Sequence, residues 1–199
     1  MKTLFAAALA ASTVILPAAA QAQALPTAQI AVVDTARVGA ECNACVTAAA
    51  QLNQQRDAIR AREAELAGPL EASGQAIQNE INALNGAQPS ADLQQRAQQF
   101  EASRQAAARE IAQRQQTLQR NSAYVSQQFT AQLQPAVQAV MQARGATLVM
   151  DEQQALMHSP AIDITADVLA EVNRRLTSIV TTAPAPAQPA QQQTPPAGR

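Results

Sequence analysis

The sequence has no tryptophan, one tyrosine and three phenylalanines, and one of those phenylalanines, Phe5, sits in the leading segment. Aromatic side chains supply much of the area that a thick core buries, so their scarcity argues against a compact globular domain. Lysine is nearly absent too: Lys2 is the only one, and it lies at the extreme start. Without it, 13 arginines face 15 acidic residues, for a net charge of about −2. No local basic run exists to displace counterions from phosphates, which excludes a nucleic-acid-binding protein. No glycine-rich loop is followed by a lysine, which excludes nucleotide hydrolysis of the phosphate-loop kind. Two cysteines and one histidine are too few for a structural zinc site, which takes about four ligands. No cofactor or metal is expected. After the leading segment no apolar run approaches the roughly 20 residues needed to span a bilayer, so stable membrane insertion is not expected.

What is present begins with an address. Met1-Lys2-Thr3 is a short basic start, Leu4 to Leu16 an apolar run, and Ala18 to Ala24 a stretch of small residues with overlapping Ala-x-Ala frames. This is the pattern of a secretory signal peptide over residues 1–24, cleaved after Ala22 or Ala24. It places the mature protein in the periplasm.

The remainder is rich in Ala, Gln, Leu, Arg and Glu, all strong helix formers. Gln29 to Asp34 is a short β-branched run and reads as a strand. From about Val46 the period changes. Leu52, Ile59 and Leu66 fall seven apart, and Leu70, Ile77 and Leu84 continue one half-heptad on. Asn85-Gly86-Ala87-Gln88-Pro89-Ser90 collects turn formers, after which Leu93, Phe100 and Ala107, then Ile111, Leu118 and Val125, resume the heptads. The spacing predicts an antiparallel coiled-coil hairpin arm over residues 47–134 with its tip at 85–91. Its helices would be roughly 57 and 64 Å long at about 1.5 Å per residue. Gly68-Pro69, with Ser73-Gly74 beyond, interrupts good helix formers in the first arm and predicts a hinge or a break there.

Pro135 then separates a further helical stretch, Ala136 to Arg144, which Gly145 ends. Ala146 to Met150 and Gln154 to Met157 read as two strands around a polar turn at Asp151-Glu152-Gln153. Thr165 is placed to cap a last helix whose apolar stripe is Val168, Leu169, Val172 and Leu176. The expected architecture is α+β and mostly helical. A small body made of residues 25–46 and 135–180 carries the arm, and a disordered Pro/Ala/Gln-rich tail covers 181–199. Three short strands cannot bury much, so Ile30, Val32, Leu148, Val149 and Leu156 are expected to belong to a sheet shared in a homo-oligomer.

Two constellations carry possible chemistry. Cys42-Asn43-Ala44-Cys45 has the spacing of a redox pair, but the rest of a thioredoxin-like sheet lies far away in sequence. In an oxidising compartment a local disulfide at the foot of the arm is the favoured reading. His158 beside Ser159, with Asp151 and Asp163 nearby, has the residue types of a nucleophile, base and orienter. Residues so close at a strand end make a poor triad, and the chain is too thin to enclose a substrate. An enzyme is not expected.

The order of parts resembles the OmpH (Skp) family of periplasmic chaperones. The resemblance lies in Ile30-Ala31-Val32-Val33-Asp34, in Leu133-Gln134-Pro135 through Arg144-Gly145-Ala146-Thr147-Leu148-Val149-Met150-Asp151, and in Ser159 through Leu169. It implies a homotrimer whose hairpins surround a cavity and hold unfolded outer-membrane proteins without ATP. The strongly basic arms of the family's best-known member are absent here, and the cysteine pair, the Gly68-Pro69 step and the long tail fall outside the family pattern. The competing reading is a structural or adaptor coiled-coil hairpin of the cell envelope.

Overall fold

The computed structural model describes residues 27–185. The signal peptide assigned to 1–24 and the tail from 186 onward lie outside the described residues.

Strand β1, Ile30–Val33, leads into a short helix α1, Thr35–Glu41. Asp34 starts α1 by accepting the Arg37 N–H at 2.8 Å, satisfying a donor that the first helical turn leaves free. This helix lies within the expected body segment 25–46, where the sequence pattern predicts only the strand. Cys42 breaks the helical path with an extended backbone, and its sulfur accepts the Cys45 N–H at 3.2 Å, so α2 (Asn43–Ala83) begins at once.

Helix α2 passes Gly68-Pro69 and Ser73-Gly74 without interruption. Pro69 has no N–H for the carbonyl four residues back, yet Leu66 and Leu70 on either side are half-buried against the opposite helix and keep the path. The chain reverses where Asn85 and Gly86 adopt left-handed backbone, with φ of 47° and 92°. Ser90 then caps α3 by accepting the Leu93 N–H at 3.1 Å. Helix α3 spans Ala91–Arg144 and includes Pro135 in its interior. This corrects the expected division at Pro135. The neighbouring Ala136 is fully buried and Val140 nearly so in the core of the body, and that packing carries the helix past the missing hydrogen bond. Gly145, at φ 68°, ends it.

Strand β2, Leu148–Asp151, pairs with β1 in parallel, with Ile30 opposite Leu148, Ala31 opposite Val149, Val32 opposite Met150 and Val33 opposite Asp151. Parallel neighbours need a crossover. Here the whole helical arm is that crossover. On its other side β1 meets the chain at Asp163, where the Ile164 N–H donates to the Val32 carbonyl at 2.9 Å.

The second strand of the expected hairpin does not form. Asp151 accepts the Gln153 N–H at 3.0 Å and turns Glu152–Gln154 into a single 3₁₀ turn. Leu156, expected in that strand, is 98 % exposed. Thr165 does not cap the last helix, α4 (Thr165–Arg175), either: its hydroxyl accepts the Asp34 N–H at 2.9 Å, and its own N–H donates to Asp163 at 2.8 Å. The stripe on α4 is as read, since Val168, Val172 and Leu176 are buried and Leu169 packs against them. They close a core with Ala31, Val33, Val38, Cys42, Ala44, Ala136, Val140 and Ile164. The boundary placed at Thr181 moves outward, because Thr181 is buried and Ala183 is hydrogen-bonded to the arm.

Candidate functional site

Two surfaces stand out: the length of the two arm helices, and the open side of the sheet at their foot. At about 1.5 Å per residue α2 extends roughly 62 Å and α3 roughly 81 Å. Every seam position read from the heptads, from Leu52 to Leu84 and from Leu93 to Val125, is half-buried or buried, while the residues between them are mostly exposed. Hydrogen bonds between the helices join Gln55 with Asn121, Arg62 with Glu110 and Glu80 with Arg96. Phe100 lies against Gly74, whose missing side chain leaves room for the ring.

The seam is thin, and it leaves shallow clefts. One of about 500 Å³ is lined by Gln55, Ala58, Ile59, Thr117 and Leu118. Another of similar size lies beside Leu66, Pro69, Leu70 and Ala107. A third, of about 340 Å³, includes Leu70, Ile77 and Phe100. Each has an apolar floor between polar rims. The rims hold ion pairs: Arg62 and Arg114 lower the Glu110 carboxyl below its usual range, and Arg96 does the same to Glu80. These pairs are solvated and contribute little to stability, but they neutralise the arm surface locally. Neither the clefts nor the pairs make a reaction centre.

At the foot, Ile30 and Leu148 face each other in register and remain 44 % and 47 % exposed. Val149 is half-buried, and its face forms a groove of about 360 Å³ with Val33, Leu133, Val137 and Met141. Val32 differs from these, at only 3 % exposed within one chain. It therefore belongs to the chain's own interior, and the exposed members of the expected oligomer set are Ile30, Leu148 and Leu156.

Cys42 and Cys45 are joined as a disulfide at the junction of α1 and α2, with Cα atoms 5.1 Å apart. Cys42 is fully buried in the core, and Cys45 packs against it. His158, Ser159, Asp151 and Asp163 do not come together as a triad. The His158 Nε2 is 3.0 Å from Glu152 and its Nδ1 is 3.2 Å from the Ser159 carbonyl. The Ser159 hydroxyl accepts the Ala161 N–H, Asp151 accepts from the Thr35 hydroxyl, and Asp163 holds the Thr165 N–H. These are turn contacts and one tie between β2 and α1, and each carboxylate is lowered mainly by its threonine partner. Among the described residues no group of three or more His, Cys, Asp or Glu side chains is arranged to hold a metal ion, and no helix is long and apolar enough to cross a membrane.

His158 is the only histidine, which makes it a clean reporter of this turn. Glu152 holds its pKa above the ordinary 6.5, with the Ser159 carbonyl assisting. A raised folded value means that the contact's stabilisation is fully present below the unfolded pKa, near 6.5, and is lost as pH rises through the folded value. A proton NMR titration of the His158 ring is expected to give a midpoint above 6.5, and Glu152→Gln is expected to lower it. An unchanged midpoint in that variant would show that the pair does not form in solution.

The family model described as "Outer membrane protein (OmpH-like)" matches residues 29–172. Among solved structures, a Caulobacter crescentus CB15 protein described as an OmpH-like outer membrane chaperone is similar in fold, with a TM-score of 0.65 at 18 % identity. That similarity covers 79 % of this chain and 90 % of the other. No curated protein sequence matches.

Proposed function

The chain belongs to the OmpH-like outer membrane protein family, and on that basis we propose that it is a periplasmic holdase chaperone, which keeps unfolded outer-membrane proteins from aggregating without ATP. The observation that carries this reading is the pair of arm helices projecting from a small body, with shallow apolar clefts repeated along a near-neutral surface. An unfolded β-barrel chain exposes alternating apolar residues that aggregate in water. Many weak contacts spread along an arm hold such a chain by effective concentration, without one tight site or a fixed register. Three copies, joined at the open side of the sheet with their antiparallel coiled-coil arms around a shared cavity, would bring several such surfaces to one client. Gly68 and Pro69, beside the middle cleft, are the proposed hinge that lets the arm adapt to clients of different size.

The test is light scattering of a urea-unfolded outer-membrane β-barrel protein diluted into buffer without nucleotide. Near-stoichiometric chaperone is expected to suppress most of the scattering. Unchanged aggregation in its presence would reject the holdase reading and favour an envelope adaptor.

The cysteine pair is not part of this mechanism. A disulfide closing so short a loop constrains the unfolded chain little, and Cys42 faces the core of the body. Replacing Cys42 and Cys45 with Ser is expected to leave scattering suppression within about twofold. Loss of most holding from a protein with unchanged circular dichroism would point instead to disulfide exchange as the activity.

A further inference from the structure

The segment after α4 lies beyond the span matched by the family model, which ends at residue 172. It crosses the foot of both arms, and the arms hold it chiefly by its backbone. Gln128 engages Val180 on both sides: Oε1 accepts the Val180 N–H at 3.0 Å, and Nε2 donates to the Val180 carbonyl at 2.8 Å. Gln55 Nε2 donates to the Thr181 carbonyl at 3.2 Å. The Asn121 Oδ1 accepts the Ala183 N–H at 2.9 Å, and its Nδ2 donates to Gln55 Oε1 at 2.8 Å, which locks the two carboxamides together. The one side-chain contact in this set is the Thr181 hydroxyl to Gln51, at 2.7 Å. Asn121 is buried, whereas the Val180 side chain stays 56 % exposed. What is gripped is therefore the peptide group and not the valine.

A carboxamide carries one acceptor oxygen and two donor hydrogens, the complement of a peptide unit with its own N–H and C=O. A row of them binds a chain through groups every sequence has, the same groups a sheet edge engages. The contacts advance from Gln128 to Asn121 as the segment runs from Val180 to Ala183, towards the cleft floored by Ile59 and Leu118, which Gln55 also lines. Backbone donors and an apolar floor thus adjoin.

We propose that Gln55, Asn121 and Gln128 form a sequence-independent binding site for polypeptide backbone, occupied here by the chain's own Val180 to Ala183 and vacated for a client when that segment lifts away. The proposal rests on the chaperone reading and gives it a defined contact site with a built-in competitor.

The test uses full-length protein. Val180→Pro with Ala183→Pro removes both N–H donors of the segment and frees the site, while Gln128→Leu removes part of the site itself. The probes are a fluorescently labelled urea-unfolded outer-membrane β-barrel protein and a synthetic peptide of residues 177–185. The double-proline variant is expected to bind both probes about fivefold more tightly than the wild type, as relief of self-occupancy requires. Adding Gln128→Leu should cancel that gain. A scrambled peptide of the same composition should bind within about threefold of the original, since the contacts are to backbone. If the wild type holds the barrel protein but the proline variant gains nothing, or if scrambling abolishes peptide binding, the inference is overturned and the chaperone reading stands. If neither form holds the barrel protein, the chaperone reading falls and this inference with it.

Discussion

Excising Leu66 through Ala107 and closing the gap with a short turn is expected to abolish the holding of a whole unfolded β-barrel protein while leaving the body folded. The excision points are neighbours, since Leu66 and Ala107 line the same clefts between α2 and α3. The shortened helices can therefore be joined without moving their lower halves. No member of the core at the foot lies within the excised stretch, and the Arg62–Glu110 and Gln55–Asn121 contacts remain below it. Two of the clefts with apolar floors are removed or truncated. A holding mechanism that depends on many weak contacts loses affinity multiplicatively as contacts are removed, so light scattering of the client should return to its level without chaperone. Short peptides should still bind at Gln128, because that site lies outside the deletion. A shortened arm that still prevented aggregation of the barrel protein would show that clients are held by the body and not by the arms.

The second large effect concerns assembly. Ile30→Asp combined with Leu148→Asp is expected to convert the proposed trimer to monomers in sedimentation, with little change in helical circular dichroism. The two residues face each other across β1 and β2 and remain about half exposed in the single chain. A two-stranded sheet is marginal alone, and covering that apolar pair with other copies is the role proposed for it. Two charges placed there stay solvated in a monomer, but in an interface they would cost several kcal/mol unless neutralised. Val32→Asp behaves differently. Val32 is buried within one chain, between β2 and the bridge to Asp163, so the charge unfolds the body itself and helicity falls along with mass. A double variant that sedimented like the wild type would remove this sheet from the assembly surface.

Most of the candidate surface was legible because its signals repeat. Heptad spacing identified the seam on both arms, and the seam positions are the half-buried ones. The turn at Asn85-Gly86, the Ser90 cap and the Gly145 stop are local chemistry, decided within a few residues. Leu156 misled because an apolar residue after a polar turn resembles a strand, and nothing nearby reveals that Asp151 folds back onto Gln153 and takes the Thr35 hydroxyl. The Gln128 grip on Val180 was equally hidden: glutamines are spread along both arms, and no pattern distinguishes those that meet a backbone from those that meet water.

The sequence by itself determined that two long helices form the arm, where they reverse, which edge of each is apolar, and the lack of groups for phosphate or zinc chemistry. Those properties come from periodicity, caps and composition, which act over one or two helical turns. Only the tertiary structure decided that the arm is the crossover between parallel strands, that α3 continues through Pro135, that Thr165 serves Asp34 instead of its own helix, and that the segment after α4 lies on the arms. Each depends on a partner far away in sequence, and a hydrogen bond or a buried face brought in from that distance outweighs the local preference of the residues it meets.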